Sequence, residues 1–229
     1  NGIISTVIFL LNKRSIIMDF GFLVDYYKFF ISGTSNTLML SFITVILGLI
    51  GGIVLSIMKL SKFKILQNIS GAYIAFIRGT PLLVQLYIVY YGLKDIPMFV
   101  AGVIAMSINS SAYIAEIIRA GIMAVGKGQF EATKSLGMTG AMAYKEVILP
   151  QAFKNILLAL GNEFIVLIKE SAIVSVIGLH DLMYNVDTIR GITYKPFEPL
   201  LVAALIYFIL TAVLSKGFGV IERRLQASD

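Results

Sequence analysis

EATKSLGMTGAMAYKEVILP, residues Glu131 to Pro150, is a polar, alanine-rich stretch in a chain that is otherwise mostly apolar. Residues from Gln129 to Leu136 favour helix, and Gly137 is a helix stop because glycine enters the left-handed region without a steric cost. Thr139 is a candidate N-cap for a second short helix reaching Val147. Phe130, Thr133 and Leu136 share one stripe of the first helix, and Tyr144, Val147 and Ile148 one stripe of the second. Pro150 suits the first turn of a further helix, predicted to run to about Lys169. Two short helices with apolar stripes, lying outside a bilayer, either pack beneath their own chain or present a knob to another protein.

The surroundings of this stretch set the solvent. Of 229 residues, 58% are hydrophobic and 14% charged, whereas a soluble domain has about 45–50% and about 25%. The mean hydropathy is +0.87. This composition predicts an all-α integral membrane protein of about five spans. The net charge of +6 is then assigned to cytoplasmic loops rather than to a nucleic-acid surface. With no cysteine and a single histidine, His180, neither a thiolate site nor a histidine metal site is expected, and no residue is read as catalytic.

No charge occurs between Phe29 and Met58, and the stretch Thr37–Met58 would reach roughly 33 Å as a helix, enough to cross a bilayer core. Gly48, Gly51 and Gly52 give this span a smooth face for close helix packing. Lys59, Lys62 and Lys64 place its end in the cytoplasm, and so the N-terminus outside, although Lys13, Arg14 and Lys28 oppose that orientation. A second segment, 65–93, is broken at Arg78-Gly79-Thr80-Pro81, which predicts an amphipathic approach helix, a bend and a membrane helix. The third span, 96–118, closes on an expected ion pair of Glu116 with Arg119. The fourth follows Pro150, and the fifth covers 199–216. Residues 170–198 are expected outside or in an outer cavity, and the Glu222–Arg224 tail in the cytoplasm. The chain is thereby divided into an N-terminal extension and approach segment at 1–32, a transmembrane domain at 33–225 and a tail at 226–229. Residues 1–17 are read as a loose extension, with Met18 a candidate start.

Gly121 to Gly128 nearly matches the phosphate-binding loop G-x4-G-K-[ST]. That loop needs a preceding strand, a following helix and a hydroxyl for Mg²⁺. Here a membrane helix precedes it and Gly128 replaces the hydroxyl residue, so the stretch is read as a turn.

The spacing Glu131-Ala132-Thr133, three residues, Gly137, nine residues, Val147-Ile148-Leu149-Pro150 resembles the EAA motif of ABC importer permeases. In that motif E-A-A, three residues, G, nine residues and I-x-L-P follow in order; Thr133 and Val147 are the departures. RGTPLLVQ at Arg78–Gln85 and SAYIAEIIRAG at Ser111–Gly121 look like signatures of the polar amino-acid permeases, although Arg78 and Glu116 also suit packing and topology. The resemblance covers roughly residues 33–225. It implies the type I importer fold, with a cytoplasmic coupling helix between the third and fourth spans that docks on an ATPase subunit. Glu131, Ala132 and Gly137 would carry that role, with Thr133 in the place of the second alanine. It further implies a second permease copy, identical or similar, and two cytoplasmic ATPase subunits holding ATP and Mg²⁺, with no cofactor on this chain. An extracytoplasmic solute-binding protein would complete the assembly, in the plasma membrane of a prokaryote.

The substrate residues are expected on the fourth span. Glu163 lies roughly 20 Å beyond Pro150 along a helix, and a carboxylate at that depth costs at least about 2.5 kcal/mol unless it is paired or faces water. It either pairs with Lys169 or Arg190 or borders a hydrated path. Asn162 beside it, Ser107 on the third span and Asp187 at the outer end are expected to line that path. Asp181, also near that end, reads as a surface loop residue. Lys169, seven residues after Asn162 on the same face, either pairs internally or meets a substrate carboxylate. Two carboxylates would suit a guanidinium or ammonium group, so the expected cargo is a cationic L-amino acid, arginine first. Glutamine or another neutral polar amino acid is the alternative within the family, and a secondary transporter the alternative outside it.

Overall fold

In the computed structural model residues 18–226 are described; the expected extension at 1–17 and the end of the tail fall outside them. The described residues form helices and no strand. Helix α1 (Phe22–Leu60) runs for 39 residues, about 58 Å, and so begins well before the expected span at Thr37. Helix α2 (Lys64–Arg78) is followed by α3 (Leu82–Gly92), then by α4 (Met98–Met123) and α5 (Lys127–Ser135). The single turn α6 (Gly140–Ala143) leads through a π turn (Tyr144–Ile148) into α7 (Leu149–Glu170). A 3-10 stretch (Ser171–Ile177), α8 (Leu182–Thr193) and α9 (Glu198–Gln226) complete the chain.

Helices α1, α4 and α9 are each long and apolar enough to cross a membrane, and the pair α2–α3, bent by 104° at the Gly79–Pro81 break, counts as a fourth candidate. At 11 residues, about 16 Å, α3 is shorter than the membrane helix expected after the bend. Helix α7 is long enough at 22 residues, but Lys154, Glu163, Lys169 and Glu170 make it too polar to face lipid alone. It packs on α1, α4 and α9 instead.

The most extensive contact joins α1 to α4. Leu40 lies near Gly102, Gly48 near Ser110 and Gly52 near Ile114, so the two helices run in the same direction. A Cβ at Gly52 would stand 2.5 Å from Ile114 Cγ2, one at Gly48 2.8 Å from Ser110 Oγ, and one at Gly51 2.9 Å from Ser111 Cβ. The glycine face predicted from sequence is therefore a seam at backbone contact. Ser56 Oγ donates across it to Ala115 O at 3.1 Å.

Two sets of polar contacts fix the remaining helices. At the α2–α3 bend, Gln85 Nε2 donates to Ile77 O at 2.8 Å and Thr80 O at 3.1 Å, while its Oε1 accepts from Asn109 Nδ2 at 2.9 Å. These bonds satisfy carbonyls that the Pro81 break releases, as a low-dielectric setting requires. At the other end, Asn36 Nδ2 donates to His180 O, Leu182 N to Thr37 Oγ1 and Asn185 Nδ2 to Phe29 O. Phe22 and Phe30 are buried there with Leu182, Val186, Ile189 and Ala203. This packing carries α1 past the expected start of the span, since its first residues gain a partner in α8.

Substituting Gly52 with valine is expected to cost about 1–3 kcal/mol by overpacking the seam. It should lower the thermal unfolding midpoint of the detergent-solubilised protein. Gly92→Ala places a Cβ where nothing lies within 4 Å and should move the midpoint little. Equal midpoints for both variants would show that the seam does not limit stability.

Candidate functional site

The Glu131–Pro150 stretch folds as its residues direct, with two corrections. Helix α5 ends at Ser135, and Gly137, just past its cap residue Leu136, has a φ of +71°. Gly137 N donates to Lys134 O and Met138 N to Thr133 O, each at 3.0 Å, the paired closure of a Schellman turn. Thr139 Oγ1 accepts from Met142 N at 3.3 Å, which caps α6 as expected. Thr133 is buried and donates to Phe130 O at 2.9 Å. The Phe130 ring meets Tyr144 edge-on at 5.8 Å. Ile122, Val125, Ile148 and Ala152 form a small core against which Phe130 and Val147 pack, so the loop is clamped between α4 and α7. Leu136, however, leaves the packed stripe and is 79% exposed, because α5 stops at Ser135 and the Schellman turn carries the next residue away. With Glu131, Ala132 and Met142 it forms the exposed side of the loop.

The second correction concerns Pro150. The backbone is helical without a break from Gly140 to Glu170, so the proline does not restart a helix. It sits at the start of α7, just after the π turn. The wider turn relieves the clash that the proline ring makes with the carbonyl four residues earlier. The second half of the loop, from Gly140, and the helix bearing Glu163 are thereby one continuous element, while α5 is set off from it by the turn at Gly137.

Further along α7, Gly161 lets α9 approach: a Cβ there would lie 2.6 Å from the Phe218 ring. Glu163 is half-buried, on the side of α7 that meets α4. Its carboxyl lies beside the Ser110 hydroxyl, outside hydrogen-bond geometry. The hydroxyls of Thr44, Ser107 and Ser110 are buried and form no hydrogen bond among the described residues. Neither ion pair considered for Glu163 forms: Arg190 Nη1 binds Asp187 at 2.5 Å, and no ion pair joins Lys169 to Glu163. Asn162 points to a different, exposed face, since neighbours on a helix diverge by about 100°. Asp187 lies on α8, which does not pack along α7. It lines a cleft of about 550 Å³ with Arg190, Gly191, Tyr194 and Pro196. The structure thus places Glu163 beside Ser110 of α4, gives Ser107 no hydrogen bond to it and leaves Asp187 apart.

The ion pair expected at the end of the third span is present: Arg119 Nη2 to Glu116 Oε2 is 2.8 Å. Arg78 Nη1 approaches the same oxygen at 4.0 Å and lies over the Tyr113 ring. Gly121, the first glycine of the apparent phosphate loop, is inside α4 with Ile156 against it.

Asp181 is not the surface residue expected. It is fully buried and N-caps α8, accepting from Met183 N at 3.2 Å and Tyr184 N at 2.9 Å. The signal was available in the sequence: a cap residue directly before Leu182, Val186 and Ile189 at helical spacing. Burial pushes this carboxyl up to about 6 from 3.8, despite the two N–H donors.

An all-α fold with several apolar helices, and a short-helix loop feeding a charged helix held among them, defines a multi-span membrane permease. The chain belongs to the family of binding-protein-dependent transport system inner membrane components, whose profile matches residues 45–227. Among its relatives is the arginine transport system permease protein ArtQ of Bacillus subtilis, 45% identical over 93% of this chain and 99% of the relative. The putative glutamine transport system permease protein GlnP of Rickettsia conorii is 44% identical over 90% and 98%. A solved structure described as an amino acid ABC transporter with histidines is 53% identical, with a TM-score of 0.87, covering 90% of this chain and 99% of that one. The MetNI methionine ABC transporter, at 18% identity and a TM-score of 0.69, shares the fold. The chain is therefore a translocation component of an ABC transporter and not an enzyme, and the secondary-transporter alternative falls away.

The Asp181 carboxyl holds its proton to higher pH in the folded state than in the unfolded one. Its favourable contribution is full below about pH 4 and is lost as the pH rises through about 6. Asp181→Asn keeps a cap acceptor and removes the titration. The stability of wild type relative to this variant, followed by thermal unfolding, should fall across that window. A flat difference would show an ordinary carboxylate.

Proposed function

We propose that this chain is the permease of an ATP-driven importer for polar L-amino acids, with cationic ones, arginine first, as cargo. The observation that carries the proposal is Glu163. It is a half-buried carboxylate on a membrane helix, with the Ser110 hydroxyl and the Glu170 carboxylate as polar neighbours and no ion pair to a cation among the described residues. A guanidinium or ammonium group would supply the missing charge through short, charge-assisted hydrogen bonds. Glu163, Asn162 and Ser107 are assigned to the substrate path. Asp187 would join it only if its pair with Arg190 opens.

The same reading assigns Glu131, Ala132, Thr133 and Gly137 to coupling. Glu131 and Ala132 would face the ATPase, while buried Thr133 and Gly137 hold the loop in shape. Two permease copies would work with two ATPase subunits that bind ATP and Mg²⁺, and with an extracytoplasmic binding protein. The lysine-rich end of α1 and the C-terminus would be cytoplasmic, and the N-terminus outside. Because α6 is continuous with α7 and Phe130 of α5 packs on the small core at the start of α7, a displacement at the ATPase would pass through the Gly137 turn and that core to the helix bearing Glu163. Loaded binding protein must favour the outward-open state, since a ligand shifts an equilibrium only through differential affinity.

A second reading has its own support: the relatives from Rickettsia conorii and Bacillus subtilis named for glutamine favour a neutral side chain. ATP hydrolysis by the complex reconstituted with its ATPase and binding protein separates the two. Arginine should stimulate it more strongly than glutamine, and Glu163→Gln should raise the arginine concentration for half-stimulation about 10- to 100-fold, the equivalent of about 1.5–3 kcal/mol for a hydrogen bond to a charged group. An unchanged arginine response in the variant would remove Glu163 from the site. A stronger response of the wild type to glutamine would select the second reading.

A further inference from the structure

Helix α2 is unlike the other long helices. Its N-terminal half lies at the lysine-rich end of α1: Lys59 Nζ sits over Gly71, where a Cβ would meet it at 2.6 Å. Its C-terminal Arg78 lies against Tyr113 and Glu116 of α4. Helix α3 packs on α4 and departs from α2 at 104°, so α2, which runs beside the lysine-rich end of α1, lies across the spans rather than along them.

Around this transverse helix the side chains separate into three faces. Ser70, Ile74 and Ile77 are buried against α1 and α4. Ile65, Ile69, Ala72 and Phe76 fall within a sector of about 60°, and the three large ones are 73%, 55% and 63% exposed. Beside them lies a polar strip bearing Lys64, Asn68 and Arg78, with the Lys59 ammonium laid along it at Gly71. Lys62 lies just before the helix. Helix α2 has no acidic residue in its sequence, and Lys59, Lys62 and Lys64 form no ion pair or side-chain hydrogen bond among the described residues.

An exposed apolar strip next to an exposed cationic strip, on a helix crossing the end of the spans, matches the boundary between acyl chains and headgroups. We propose that α2 is an in-plane anchor that binds anionic phospholipid headgroups through Lys59, Lys62 and Lys64, with Ile65, Ile69 and Phe76 inserted among the acyl chains. The occupant is the membrane's own lipid rather than soluble phosphate, because the cations adjoin a strip that water would leave bare. Arg78 and Lys59 both stand near Glu116, so the anchor is fastened to α4, the helix that leads into α5. The inference does not depend on which amino acid is carried.

The test is lipid retention by the purified transporter complex in mixed micelles of phosphatidylglycerol and phosphatidylcholine, read by native mass spectrometry. The wild type should retain phosphatidylglycerol above its share of the mixture, and less so as salt rises. Lys59→Gln, Lys62→Gln and Lys64→Gln should each lower that preference, by about fivefold per charge. The corresponding arginine variants should keep it, and they decide the matter if the glutamine variants fail to assemble. Equal retention of the two lipids by the wild type would overturn the proposal. So would displacement of phosphatidylglycerol by millimolar inorganic phosphate, which would identify a soluble anion as the occupant.

Discussion

The backbone contact between α1 and α4 is the constraint on which the other helices depend. Gly48, Gly51 and Gly52 bring the two helices so close that a single methyl group would collide with Ile114, Ser110 or Ser111. In a bilayer, apolar side chains gain little by leaving lipid for protein, so shape and polar contacts decide which helices associate. The seam provides the shape. Helix α2 crosses its end, α3 packs on α4, and α7 lies against both seam helices. The Ser110 hydroxyl lies at this junction of α1 and α4, against Gly48.

Helix α7 joins the small core beneath the loop to the half-buried carboxylate Glu163. Its start belongs to the small core around Ile148, and Glu163 is roughly 20 Å further along. Between them, Gly161 lies against the Phe218 ring of α9. From Gly140 to Glu170 the backbone is helical throughout, with the π turn ahead of Pro150, and the Glu131–Gly137 segment joins this stretch through the Gly137 turn.

Backbone groups freed at the helix breaks follow the rule that membrane interiors impose. The carbonyls released at the α2–α3 bend are taken by Gln85, and Gln85 in turn by Asn109. The N-terminal amides of α8 are taken by Asp181 and Thr37. Glu116 has Arg119 beside it. Against this background Glu163 is conspicuous, since its polar neighbours are the Ser110 hydroxyl and the Glu170 carboxylate and no ion pair reaches it among the described residues.

The sequence by itself determined the membrane class, the polar loop with its Gly137 stop and Thr139 cap, the close-packing face of the first span, the Glu116–Arg119 pair and the family. Each follows from local chemistry: hydropathy, backbone preference, capping and residue spacing. The tertiary structure decided the rest. It extended α1 to Phe22, because α8 and α9 supply a partner for Phe22 and Phe30. It buried Asp181, exposed Leu136 and ran the helix through Pro150, since a cap, a turn and a π turn depend on what packs around them. It also separated Asp187 from Glu163. Spacing along one chain cannot report whether two helices meet, and here α7 faces the α1–α4 seam while α8 packs on the first turns of α1.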